Sequence, residues 1–251
     1  MTTLRQHGLG LVELMVGITV GLVVAAGASM MAVNQINEHR RLMLETQIQQ
    51  DLRTAADLLQ QDLRRAGYRG DAQLGVWAPP AAVGTVDERS AAMPSANQFT
   101  DVAKVEDGDS RILTYLYARV LTNSSDYSPT GTPRNVEHFG FRWDKSSKVL
   151  YLQIGVNSSG GPNWQPITDP DSVKITDFQV QIDDSQSVDV GDFCDKPCSP
   201  PTAGAPACPK HVVRDVSFTI VGEAAHDAKV RRTLTGVERL RTDKISGACP
   251  T

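Results

Sequence analysis

The chain has 251 residues, 40% apolar and 22% charged, proportions that exclude a wholly disordered, collagen-like or multi-span membrane protein. Lys and Arg number 25 against 29 Asp and Glu, a net charge of −4; so mild an acidity gathers no polyanion, and nucleic acid is not an expected partner. The averages conceal an uneven distribution, because Glu13 is the only charge in residues 9–33.

Residues 1–8 (MTTLRQHG) form a short polar leader in which Arg5 is the one fixed positive charge. Residues 14–33 carry no charge, and these 20 residues, wound as a helix, rise ~30 Å, the depth of a bilayer's hydrocarbon core. With Arg5 on the near side, the positive-inside tendency places the amino end in the cytoplasm and everything after Asn34 outside. Glu13 breaks the pattern. A carboxylate in hydrocarbon costs ~2.5–3.5 kcal/mol unless it is paired. The span offers no cation, so the partner must come from the leader, from another chain, or from a new amine made by cutting the leader away.

The run Gly8-Leu9-Gly10-Leu11-Val12-Glu13-Leu14-Met15-Val16 resembles the prepilin processing motif of type IV pilins and pseudopilins. The resemblance implies that a prepilin peptidase cuts after Gly8 and methylates the new amine on Leu9. It also implies that Glu13 pairs with the terminal amine of a neighbouring subunit during filament assembly, which supplies the missing cation. Three positions depart from the pattern. Leu9 rather than Phe follows the cut, Gly10 stands where a small polar residue is often found, and Met30 stands where major pilins commonly carry a kinking proline, which leaves Gly17, Gly21 and Gly27 as the helix-weakening residues. Two simpler readings are an ordinary secretory signal cut after Ala26-Gly27-Ala28, which would leave Ser29 first, and an uncleaved anchor beginning at Met1. Neither has a use for Glu13.

Beyond Val33 there is no proline until Pro79, and apolar side chains recur at Leu44, Ile48, Leu52, Ala55, Leu59, Leu63 and Ala66, one face of a helix. The opposite side carries Glu45, Asp51, Arg53, Asp57, Asp62, Arg64 and Arg65, with Arg41/Glu45 and Arg53/Asp57 at helical i,i+4 spacing. One helix over residues 9–66 follows, ~85 Å long, its 9–33 half in lipid and its 34–66 half packed on a head. Gly67 is the expected terminator. The segment Asp62-Leu63-Arg64-Arg65-Ala66-Gly67-Tyr68-Arg69-Gly70 and the run Arg231-Arg232-Thr233-Leu234-Thr235-Gly236-Val237-Glu238-Arg239-Leu240-Arg241 are similar to the PilW family of minor pilins, and Gly21 suits that family's span. For Arg64, Arg65, Arg231 and Arg232 a solvated helix end and strand face competes with subunit docking.

Residues 67–251 make up the head. Residues 74–109, rich in Ala, Pro, Gly and Ser, read as an irregular excursion. Strand-like runs occupy 111–122, 138–143, 148–154, 173–182, 212–221 and 229–240, separated in several places by turn-prone segments such as Asp144-Lys145-Ser146-Ser147. The expected fold class is α+β: a pilin-like roll in which the long helix covers one apolar face of an antiparallel sheet. Cys194, Cys198, Cys208 and Cys249 all lie late in the chain. Outside the membrane two disulfides are expected, with three pairings open. The Cys-x3-Cys spacing also admits a four-cysteine zinc site.

No P-loop, dinucleotide fingerprint, nucleophile elbow or His-Glu-x-x-His motif occurs, and His7, His39, His138, His211 and His226 are scattered. Asp183-Asp184 and Asp169-Pro170-Asp171 are exposed acidic turns or calcium-type loops, and Trp77, Trp143 and Trp164 are core residues or a ligand platform. No catalytic residue, metal or cofactor is expected. The resemblance implies a minor pilin that works with the prepilin peptidase, other minor pilins, the major pilin, membrane lipid and an inner-membrane assembly platform. It would be held in the inner membrane before assembly and in the pilus, at its tip, afterwards, in the service of twitching, adhesion or DNA uptake. A type II secretion minor pseudopilin shares the same processing and fold. A membrane-anchored binding or sensor domain is the alternative of another class.

Overall fold

The computed structural model describes residues 10–68, 99–119, 133–194, 197–198, 207–242 and 244–247. The chain divides into two units, Met1–Thr46 and Gln47–Thr251. Helix α1 (Leu11–Leu63) begins in the first and ends in the second. The strands are β1 (Val102–Asp107), β2 (Ser110–Leu116), β3 (His138–Asp144), β4 (Val149–Val156), β5 (Pro162–Pro166), β6 (Val173–Asp189), β7 (Lys210–Ala224), β8 (Asp227–Arg239) and β9 (Lys244–Ser246).

In the first unit every residue from Gly10 to Met43 is exposed, and the ion pair between Arg41 and Glu45, 3.3 Å, is the helical pair expected there. Arg53 and Asp57, further along, do not pair with each other. In the second unit the α1 residues Ile48, Leu52, Ala55, Ala56, Leu59 and Leu63 are buried, which reproduces the stripe read from the sequence. The helix stops three residues earlier than expected, at Leu63, and unwinds through a turn that closes at Gly67, φ +81°. That conformation suits a residue without a Cβ, and here a Cβ would meet Thr242 Cβ at 2.5 Å. The Gly67 N–H leaves the helix ladder and donates to the Leu116 carbonyl, 2.8 Å.

Two antiparallel sheets form where one was expected. The first runs β1-β2-β3-β4-β5 in chain order; in the second β7 lies between β6 and β8 and also pairs β9. Alternation decides which side chains enter the core. In β2 and β3, Leu113, Tyr115, Phe139, Phe141 and Trp143 point inward, and in β7 Val216, Phe218 and Ile220 do so. β6 buries Val173 and Ile175, then Phe178 and Val180. The phase slips by one residue because the register with β7 shifts between Ile175 and Asp177, a bulge that keeps both halves of the strand facing the core. The sheets are joined where the Trp143 indole N–H donates to the Ile175 carbonyl, 2.9 Å, and the Ile175 N–H donates to the Lys148 carbonyl, 2.8 Å. Arg111 pairs with Asp177 across the same junction.

Strand β1 falls inside the expected irregular excursion, whose residues 74–98 lie outside the described ones, as do 120–122 of the run expected to be a strand. Five of the six residues of β1 are exposed, so no buried alternation betrayed it. β5 is bounded by Pro162 and Pro166, residues that argue against a strand everywhere except at the margin of a sheet. The C-terminal segment is tied down by Arg214, 5% exposed, whose guanidinium donates to the carbonyls of Thr100 and Thr242.

Candidate functional site

The helix of the first unit carries the features that need a partner. Gly10 opens it, its carbonyl accepting from the amides of Glu13, 3.0 Å, and Leu14, 3.2 Å. Glu13 therefore sits in the first turn, where unpaired backbone N–H groups favour an acid. It is exposed, and it is surrounded along the helix by exposed apolar side chains, from Leu11 at 77% to Met31 at 75%. An 18-residue window of this helix has a mean hydropathy of 2.2, and none of it is buried. A helix apolar on all its faces is stable only when lipid or other apolar helices surround it. A carboxylate among those side chains then requires a cation from another molecule or from a new chain terminus. Gly17, Gly21 and Gly27 have open space where a Cβ would be, and each weakens a helix by roughly 1 kcal/mol relative to Ala. Gly8 and Leu9, the expected cleavage and methylation sites, lie outside the described residues.

In the second unit the helix is seated by contacts that no motif announced. Leu52 lies against Gly222 of β7, where a Cβ would come within 3.1 Å of its Cδ2, and Gln60 lies against Gly236 of β8. Asp51 accepts from Ser172 Oγ, 2.8 Å, and Arg64 pairs with Glu238, 3.0 Å. At the helix end the Tyr115 hydroxyl donates to Asp62 Oδ2, 2.8 Å, with Tyr115 1% and Asp62 7% exposed. Burial pushes the Asp62 carboxyl above its ordinary range, against the hydrogen bond from Tyr115 and the positive charge of Arg65, which pull it down. Burial, and then the Asp62 charge, hold the Tyr115 phenol well above its usual value. Arg64 and Arg65, read from the sequence as solvated or docking groups, are thus partly spent inside the head, on Glu238 and Asp62. Arg231 and Arg232 lie exposed on β8.

The cysteines divide between described and undescribed positions. Cys198 and Cys208 form a disulfide with a Cα–Cα distance of 5.8 Å and a sequence separation of 10. Cys194 is also disulfide-bonded, and Cys249 lies outside the described residues. Thiols committed to disulfides cannot serve as zinc thiolates, so the four-cysteine zinc reading is set aside. Of the three tryptophans, Trp143 is buried at the sheet junction and Trp164 is half-buried on β5, while Trp77 lies outside the described residues.

Residues 41–240 match the family model described as prepilin peptidase-dependent protein B, and residues 3–29 match that of the prokaryotic N-terminal methylation motif. The first match runs from the middle of α1 past the end of β8. The second takes in Gly8, Leu9 and Glu13. No curated protein and no solved structure matches the chain.

Proposed function

The chain belongs to the prepilin peptidase-dependent protein B family, and from that premise we propose that it is a minor pilin of the PilW type that helps to start or tip a type IV pilus. A prepilin peptidase removes residues 1–8 and methylates the amine of Leu9. Residues 9–33 hold the subunit in the inner membrane until it passes, through the assembly platform, into a bundle of helices with other minor pilins and the major pilin. Within that bundle Glu13 and the amine of a neighbouring subunit compensate each other. The role is structural rather than catalytic.

One observation carries this reading: an exposed carboxylate on the first turn of a helix that is apolar all round. Removing that charge spares lipid insertion ~2.5–3.5 kcal/mol but deletes the group that draws in the neighbour's amine. Glu13→Ala is therefore expected to leave the protein processed and membrane-held but absent from sheared surface filaments. Mass spectrometry of native protein should find a methylated Leu9 as its first residue; a start at Met1 or Ser29 refutes the proposal. The type II secretion pseudopilin is separated by phenotype, since deletion would then abolish protein secretion and leave pili intact.

A further inference from the structure

Among the described residues, two arginines of the first sheet stack on aromatic rings, and they differ in one respect. Arg111 lies 5.5 Å from the Trp143 ring and is also held by Asp177 and the Phe178 carbonyl. Arg142 on β3 lies between two rings, 4.8 Å from the Tyr151 centroid on β4 and 5.1 Å from that of Trp164 on β5. Its Nε is buried without a hydrogen-bond partner, and among the described residues no carboxylate pairs with it. The acid two residues along the same strand, Asp144, is occupied by the amide and hydroxyl of Ser146, at 2.9 and 2.7 Å. A guanidinium partly withdrawn from water with nothing to balance its charge is costly, and the cost is relieved by an anion at its two terminal nitrogens.

We propose that this slot binds a carboxylate carried on a pyranose ring, that is, a uronic acid residue of a saccharide. The guanidinium is fixed by the two rings, so little side-chain freedom is lost when its planar fork meets a planar carboxylate. One guanidinium at the slot matches a single negative charge. The rim is hydroxyl and aromatic: the Tyr151 hydroxyl lies 3.4 Å from Ser147 Oγ, and the half-exposed Trp164 offers an apolar surface to the C–H face of a sugar. An acidic peptide is the poorer fit, because Pro162 and Pro166 take amide donors away from the neighbouring strand on which a peptide would zip up.

The test uses the full chain in detergent micelles and follows the indole N–H signals by NMR, with glucuronate as the probe. The buried Trp143 indole, bonded to Ile175, is an internal reference that must not move. Glucuronate is expected to shift the Trp164 signal saturably at millimolar concentration. Glucose is expected to leave it in place, and Arg142→Gln to weaken binding at least tenfold with the Trp143 signal unchanged. If Arg142→Gln disturbs Trp143, the comparison of glucuronate with glucose on the native chain decides alone. Equal shifts with glucose overturn the carboxylate; equal shifts with propionate, or with a glutamate dipeptide, overturn the sugar; no shift with glucuronate overturns the site.

Discussion

Replacing Tyr115 by Phe tests how α1 is fastened to the first sheet. The hydroxyl removed is a buried donor 2.8 Å from an Asp62 oxygen. At pH 7 it serves a charged acceptor, and losing such a bond in a buried site costs ~1.5–3 kcal/mol. Taking about 2 kcal/mol and a urea slope of about 3 kcal/mol/M, the unfolding midpoint of the detergent-solubilised chain falls by roughly 0.7 M. The pH dependence is the sharper part. The folded Asp62 carboxyl titrates above its unfolded value of 3.8, so the stability it contributes is complete below that pH and declines as pH rises through the folded value. The Phe variant loses one of the two influences that hold the carboxyl down, so its folded value rises further. Below it a neutral hydrogen bond of ~0.5–1.5 kcal/mol is all that is missing, and the penalty at pH 3 should be about half of that at pH 7. Urea titrations of both proteins at the two pH values, followed by tryptophan fluorescence, measure this. A penalty under about 0.5 kcal/mol at pH 7, or one that grows on acidification, refutes the reasoning.

Further substitutions probe the rest of the head. Gly236→Ala puts a methyl 2.3 Å from the Phe218 ring and 2.9 Å from Gln60 Nε2, so it should cost ~1–3 kcal/mol, read as a lowered urea midpoint. Leu59→Ala empties a position that is 0% exposed and should cost ~2–5 kcal/mol by the same assay. Cys198→Ser opens a short disulfide loop and should cost about 2–3 kcal/mol, and dithiothreitol, which also opens the Cys194 disulfide, should cost the parent protein at least as much. Burial pushes the Glu137 carboxyl up, but donors from Arg134 and the Arg119 amide outweigh it and hold the group below its ordinary 4.5. The stability it contributes is present above 4.5 and lost as pH falls through the folded value, so Glu137→Gln should flatten the acid limb of the stability curve.

How far the sequence could be read depended on whether a feature declares itself locally. The apolar span, Glu13 at its head and the four-residue stripe through Ile48, Leu52 and Leu59 are periodic or compositional, and the helix follows them closely. Strands with buried alternation, such as β3 with Phe139, Phe141 and Trp143, were likewise visible. Three strands were not, because β1 is solvated, β5 is enclosed by prolines and β9 has only three residues. The way the two sheets meet involves the β6 bulge and the Trp143 to Ile175 bond, both set by residues far apart in the chain. The pairing of Asp62 with Tyr115 joins positions separated by 53 residues, and no spacing rule links them. The stacking of Arg142 on Tyr151 and Trp164 is equally hidden, because it joins three strands through no local pattern.

Thr242 touches both ends of the head's history. Its side chain fills the space beside Gly67 at the helix exit, and its carbonyl caps the buried Arg214. It follows β8 in the chain. During synthesis α1 and the strands up to β8 emerge first, yet the socket around the helix exit cannot close until residue 242 has arrived. The head is thus sealed by a segment made after β8, and a product terminated before it would leave that socket open to a protease.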